Sequence, residues 1–518
     1  MRPMMRATEK FLVAILALAV LCLPSCVLDE RFGPAAAPGT SLPVLYLASP
    51  QPDPVDPDFI ISDLRIYANT KDAFSLDGSA PAFLAAETPL FRSRAAFRPR
   101  GHSTLGLPKQ SYALELRDPA QPHKSLSAAI LGFAKENDFV LHDAYLDKSL
   151  VRNQIAYGLS NDIGLWAPRT RFVEVYADSS LDGNDTVEYL GVYLLAEKIK
   201  RGLARVNITP MDTYSNAEPE VSGGYILKFD IQSPGDLVIT TASGLGVLVD
   251  YPDPRYVTEA QKAYLKGYLD ALEASFHSAH PDDPATGYAR YLDQASFVDF
   301  FLLSELYKNV DGYRRSAFMN KDRGGKLRAG PVWDFDIALG NADFSGGSVP
   351  DGYGDDMANP NKAPIAFGWE LILTLDWPTG GPPWWWASLL EDPGFRKLAQ
   401  ERWTALRQGP LSDAAIELRI ASALACIEVA VDRNFERWGN LGSYDWPNPV
   451  VTAVYPEPLG VDFNPADSST WSQIGFLRYF LLHRAAWMDA PSSWEALDVW
   501  AADQGARSLQ GATPGKEG

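Results

Sequence analysis

A chain of 518 residues with 46% apolar content is long enough to bury a large core or to divide into two lobes. Its net charge of −19 and pI near 4.8 disfavour nucleic acid as a partner, and an anionic membrane surface repels the same charge. Six histidines without an H-E-x-x-H, and three cysteines (Cys22, Cys26, Cys426) without a Cys/His cluster, argue against a zincin or a structural zinc site.

The chain opens as a targeting segment over residues 1–26. Arg2, Arg6 and Lys10 precede the apolar run Phe11 to Leu23, which is too short for a comfortable bilayer span. Leu23-Pro24-Ser25-Cys26 then has the form of a lipobox, in which Cys26 is acylated; the competing reading is an ordinary secretory signal. Both export the protein. With Cys26 acylated, Cys426 stands alone in the apolar run Ile420 to Val431, and no internal disulfide forms. Residues 27–58 carry prolines at 34, 38, 43, 50, 52, 54 and 57 and read as a tether. Inside it, Val44-Leu45-Tyr46-Leu47 has the pattern of a short strand.

From Phe59 the pattern alternates, and Ile60, Ser62, Leu64 and Ile66 share one face of a half-buried strand. Further on, Arg98 and Arg100 lead into a turn containing Gly101 and Ser103, and Pro108-Lys109 opens the next strand. A glycine-containing loop lets backbone N–H groups approach a phosphate, and nearby Arg and Lys neutralise it. The alternative is a plain basic hairpin. Phe139 to His142 is strand-like. Asp147 is placed to N-cap a helix over Lys148 to Leu159, with Arg152 and Asn153 in its middle. Two more strands, Arg171 to Tyr176 and Tyr189 to Glu197, flank a turn at Leu181 to Asp185. Glu197 ends the second of them, either as a contact to a ligand or as an exposed acid.

Gly223 to Asp230 is a further strand. Thr258 to Ser275 and Phe297 to Leu306 follow with helical spacing, the second started by Asp293. Then comes the run from Leu306 to Phe344. Lys321-Asp322-Arg323-Gly324-Gly325-Lys326 is a turn between two strand-like stretches, so the run folds as a hairpin. Asp311 lies in the loop before the hairpin, and Asp334 and Asp336 lie at its end. Carboxylates set among Trp333, Phe335 and Tyr313 are costly to bury unless something pairs with them, and two together suit Mg²⁺ or Mn²⁺. The alternative is a solvated turn with a helix-capping aspartate. Beyond a Gly/Pro/Asp-rich stretch to Pro383, Trp384-Trp385-Trp386 is either a stacking platform for sugars or a core anchor. Helices follow around Phe395–Leu406, Ser412–Trp438 and Ser472–Met488. Residues 491–518 read as a tail with a disordered end.

The D…W-D-x-D constellation and the R-x-R-G-x-S…P-K segment together resemble the CotH kinase family, over roughly Leu42 to Asp489. The resemblance implies an α+β, protein-kinase-like fold of two lobes: a β-rich N-lobe over 59–200 and a mainly helical C-lobe over 201–490. It implies Asp311 as the catalytic aspartate, and Asp334 with Asp336 as the metal holders. Arg98, Arg100, Gly101, Ser103 and Lys109 would bind the phosphates of ATP, with Glu197 near the ribose or base. The chain departs from kinases twice. The helix that would carry a glutamate for Lys109 has none, and Ser316 stands where kinases keep a metal-binding asparagine.

The expected activity is transfer of the γ-phosphate of ATP to Ser or Thr of an exported protein, by a monomer tethered to the cell envelope through Cys26. A catalytically silent kinase-like scaffold and a carboxylate-pair glycosidase are the alternatives.

Overall fold

The computed structural model describes residues 41–52, 58–102, 104–178, 187–278, 280–351, 368–375, 380–448 and 470–511. Seven strands make a closed barrel: β1 (Val44–Pro52), β2 (Ile60–Tyr67), β3 (Phe91–Arg100), β4 (Ser111–Arg117), β5 (Asp138–His142), β6 (Thr170–Asp178) and β7 (Val187–Glu197). Their order around the barrel is β1-β2-β3-β4-β5-β7-β6. The alternation of β2 puts Leu64 and Ile66 inward, where they meet Leu114, Leu116, Phe139, Leu141, Val173 and Leu195. The strand read at Val44–Leu47, within the stretch taken as tether, is longer and closes the barrel. It runs antiparallel to β2 and parallel to β6, with Val44 opposite Glu174 and Leu47 opposite Ala177. Closure removes the two exposed edges an open sheet would have.

The second half holds another sheet, ordered β12-β11-β8-β10-β9. Its strands are β8 (Tyr225–Phe229), β9 (Leu237–Thr240), β10 (Gly246–Tyr251), β11 (Ala317–Lys321) and β12 (Leu327–Ala329). The expected hairpin is β11–β12, and β11 lies against β8 from Ala317 opposite Phe229 to Lys321 opposite Tyr225. Helices Glu259–Phe276 and Gln294–Leu306 pack beside it. Thr258 and Gln261 cap the first reciprocally, and Asp293 accepts the Ser296 N–H to start the second. Trp385 and Trp386 of the helix Trp384–Glu391 are buried, and Trp386 stacks on Phe300, so the tryptophan run anchors the core. The helix read over Ser412–Trp438 is two, Asp413–Ile427 and Val431–Trp438. Residues read as a tail form a helix, Pro491–Gly511, because Trp494, Leu497 and Trp500 fall on one buried stripe. No helix among the described residues is long and apolar enough to cross a membrane.

The expected α+β, two-lobed kinase-like arrangement is therefore not what forms. β1 closes the first sheet into a barrel in place of an open β-rich lobe. The runs at Leu237–Thr240 and Gly246–Tyr251 pair with β8, which in turn takes the β11–β12 hairpin, so a sheet stands where a mainly helical lobe was expected.

Candidate active site

A cleft opens between the barrel, the helix Arg152–Asp162 and the segment that follows β12. Arg100 of β3, His142 of β5 and Leu194 and Ala196 of β7 line the barrel side. Asn153 and Tyr157 come from the helix, and Trp333 and Asp334 from the segment after β12. The helix starts at Arg152, later than its spacing suggested. Asp147 still organises its start: its carboxylate accepts the backbone N–H of Arg152 at 2.8 Å and pairs with the same guanidinium at 2.5 Å.

The carboxylate segment is held in place through its backbone. The Asp334 N–H donates to the Tyr157 hydroxyl at 3.3 Å, and the Phe335 N–H to Asn153 Oδ1 at 2.8 Å. Asp334 adopts φ 73°, a left-handed conformation that costs a non-glycine residue energy and is kept where surrounding contacts impose it. Tyr157 stacks on Trp333 with centroids 5.8 Å apart, and the Arg100 guanidinium lies 5.3 Å from the Trp333 centroid.

Asp334 and Asp336 touch through their carboxyl groups. Both are pushed well above the usual carboxylate range. For Asp334 the causes are the packed surroundings and then the Asp336 charge, with His142 and Arg100 opposing. For Asp336 they are burial and then Asp143. Asp334 is open to solvent on one side, so the like charge beside it, more than desolvation, carries its upward direction. Asp336 is only 8% exposed. Ser316 Oγ donates to Asp334 Oδ2 at 3.1 Å.

Asp311 stands on the same site. Its carboxyl is raised by burial and lowered by Arg314 and Arg315, and Asp334 is close enough to raise it further. Arg314 forms an ion pair with it, and the Asp311 N–H donates to Asn309 Oδ1 at 3.2 Å. The hairpin thus returns the second pair of acids to the first, although Asp334 lies several residues past the end of β12.

The other residues singled out in the sequence separate. Arg100 lines the cleft. Arg98 lies half-exposed, with its guanidinium 4.8 Å from the Phe59 ring centroid and 3.8 Å from Asp58. Gly101 has φ 124°, and a Cβ there would lie 2.0 Å from Thr104 Oγ1, so the turn requires glycine. Ser103 and Cys26 lie outside the described residues, as does the Leu181–Asp185 turn. Lys109 precedes β4 instead of riding on it and does not line the cleft. It is 2% exposed, and its Nζ donates to the Val192 carbonyl at 2.6 Å and to Asn434 Oδ1 at 2.9 Å. Burial pushes its ammonium down to about 7 against the pull of Asp143, the acid the sequence could not name. Glu197 is fully buried. It accepts the Arg169 backbone N–H at 3.1 Å and Nε at 2.9 Å, with Arg205 3.8 Å away. Sequence reasoning missed His142, Tyr157 and the double role of Asn153. None has a motif of its own; only the meeting of strand and helix reveals them.

The donor set fits a hard divalent cation. Among the described residues no group of three or more His, Cys, Asp or Glu forms a ready cage. Mg²⁺ does not need one, because it takes one or two carboxylates and completes its shell with water and phosphate oxygens. Two like charges in contact, one of them buried, are relieved by such an ion. Asp334 and Asp336 would hold it.

Fold and cleft together define a class: a barrel-and-sheet protein whose cleft sets Arg100 and Asp334 on one lining. The chain belongs to the CotH kinase protein family, which matches residues 97–488 and so most of its length. That membership marks it as kinase-like. No curated protein matches the chain.

Proposed function

We propose that the protein transfers the γ-phosphate of ATP to a Ser or Thr hydroxyl of an exported protein, at the cell envelope. The observation that carries this reading is that Asp334, in the cleft rimmed by Arg100, lies against Asp336 and within electrostatic reach of Asp311. Arg100 would bind phosphate oxygens. Asp311, its carboxyl raised by burial, would accept the hydroxyl proton as the oxygen attacks the γ-phosphorus and the bond to the leaving diphosphate breaks. A bound Mg²⁺ supplies neutralisation of phosphate charge. The basic, apolar and Cys-terminated run over residues 1–26 supports export and a lipid anchor at Cys26.

A silent scaffold is the second reading, and a specific observation favours it: Lys109, expected at the phosphates, is spent on Val192 and Asn434. The glycosidase reading loses ground, because Asp334 and Asp336 are in contact, whereas a sugar needs carboxyl groups about 5 Å apart or more. The test is transfer of labelled phosphate from ATP·Mg²⁺ by the full chain and by Asp334→Asn, with nucleotide affinity measured alongside. Binding without transfer selects the scaffold, and no binding removes the kinase reading.

A further inference from the structure

The cleft contains a donor that neither the family match nor the motifs point to. His142 ends β5, opposite Leu194 of β7, and both line the cleft. Its Nε2 lies 2.8 Å from Asn153 Nδ2. An imidazole nitrogen facing an amide can accept or donate, depending on which way the amide is turned. Here the orientation is decided elsewhere. The Phe335 backbone N–H, which can only donate, sits 2.8 Å from the other end of the same amide. That end must be the oxygen, so the NH₂ faces His142 and Nε2 must accept. A flipped amide would leave the buried Phe335 N–H facing two donors, at the cost of an unmade buried hydrogen bond.

Two consequences follow from one asparagine. The neutral ring carries its proton on Nδ1, the nitrogen on the side away from Asn153. The residue is half-buried, and no partner within the described residues takes that proton. Asp334 stands within electrostatic reach of the ring. Arg100 stands on the same rim and feels the same aspartate. The barrel therefore sets one cation, Arg100, and one imidazole with a neutral N–H along the cleft that Asp334 also lines.

We propose that His142 is a phosphate-binding residue that presents Nδ1–H to a non-bridging oxygen of the bound nucleoside triphosphate. Asn153 is its positioning residue, fixing the tautomer and, through Phe335, the distance between the barrel and the carboxylate segment. A neutral donor suits this place. A further full cation next to Asp334 would compete with the metal for its carboxylate, whereas a single N–H adds a hydrogen bond to phosphate without doing so. The inference rests on the nucleotide reading given above, and its test separates the two.

Calorimetry with ATP·Mg²⁺ is run on the full chain, on His142→Ala and on His142→Gln, whose amide restores an N–H. Loss of one hydrogen bond to a charged group predicts about tenfold weaker binding for His142→Ala, with partial recovery in His142→Gln. Nitrogen-15 NMR of histidine-labelled protein, with the His142 signals assigned by their loss in His142→Ala, should show the Nδ1–H form. In Asn153→Ala the same ring should relax to the solution mixture, which a purely structural asparagine would not require. If the wild-type protein does not bind ATP·Mg²⁺, the nucleotide reading and this inference both fall. If it binds and a folded His142→Ala binds equally well, or if the ring carries its proton on Nε2, only the role of His142 is lost.

Discussion

Lys109 and Glu197 in the barrel wall are as deeply buried as Asp336 in the cleft, yet their surroundings differ. Lys109 has two acceptors and the field of Asp143. Glu197 has Arg169, held through its backbone and its side chain. Asp336 faces another acid, Asp334, and feels Asp143 and Asp147 as well. A buried charge with a full set of partners is part of the scaffold. A buried charge that faces its own sign is missing something, and a cation is what would complete it. The contrast turns the residues picked out by motif into two groups, and substitution should affect them differently.

The largest effect is expected at Asp311. Asp311→Asn should lower phosphate transfer by about a thousandfold while leaving ATP·Mg²⁺ affinity within about twofold, because in the proposed reaction the group would meet the acceptor and not the nucleotide. Rate and affinity measured on the same folded variant check it. A matching fall in both would place Asp311 with the metal holders.

Next is the barrel wall. Glu197→Ala leaves the largely buried Arg169 without its acid and should destabilise the protein by about 3–5 kcal/mol in chemical denaturation. Affinity of whatever remains folded should not change. A stable variant with weakened nucleotide binding would return Glu197 to the site.

Smaller, and opposite in sign, is the effect at Asp336. Its folded pKa is raised above the unfolded value of 3.8, so its contribution to stability is present below that value and lost as pH rises through the folded one. Asp336→Asn should therefore raise the melting temperature of the ligand-free protein at pH 8 and make little difference at pH 4. Millimolar Mg²⁺ should raise the melting temperature of the wild type and leave that of Asp336→Asn unchanged. Thermal melts with and without Mg²⁺ at the two pH values decide it, and a variant that still responds to Mg²⁺ would move the metal away from Asp336.

The mildest test concerns Lys109. Its folded pKa near 7 lies below the unfolded value of 10.5, so the unfolded chain binds more protons between them and stability rises with pH across that window. Lys109→Met should flatten this rise. Denaturation midpoints between pH 7 and 10.5 measure it, and an unchanged slope would mean that the lysine stays charged on Val192 and Asn434.

Local pattern carried much of this. Alternation marked β2, strand-like runs marked β5, β6, β7 and β8, and the Gly-Gly turn marked the β11–β12 hairpin. Helical spacing announced the helix from Thr258, and Asp293 announced the start of the next. The acids at 311, 334 and 336 stood out because carboxylates among aromatics demand a reason. Each of these signals involves residues a few positions apart, where propensity and spacing are the physics.

Closure of the barrel depended on pairing β1 with β6, more than a hundred residues away, and no local pattern encodes such a partner. Lys109 and Glu197 showed the same limit. Their residue types suited a ligand, but Asn434 and Arg169, brought in by the fold, took up their hydrogen bonds. His142 is the converse, an ordinary strand-end histidine until Asn153 and Phe335 meet it. By itself the sequence determined many of the strands and helices and which acids need a partner, because those follow from periodicity and from the cost of burying charge. Which charges found that partner within the chain, and which were left facing a cleft, was decided only by tertiary structure, because pairing depends on distance in space.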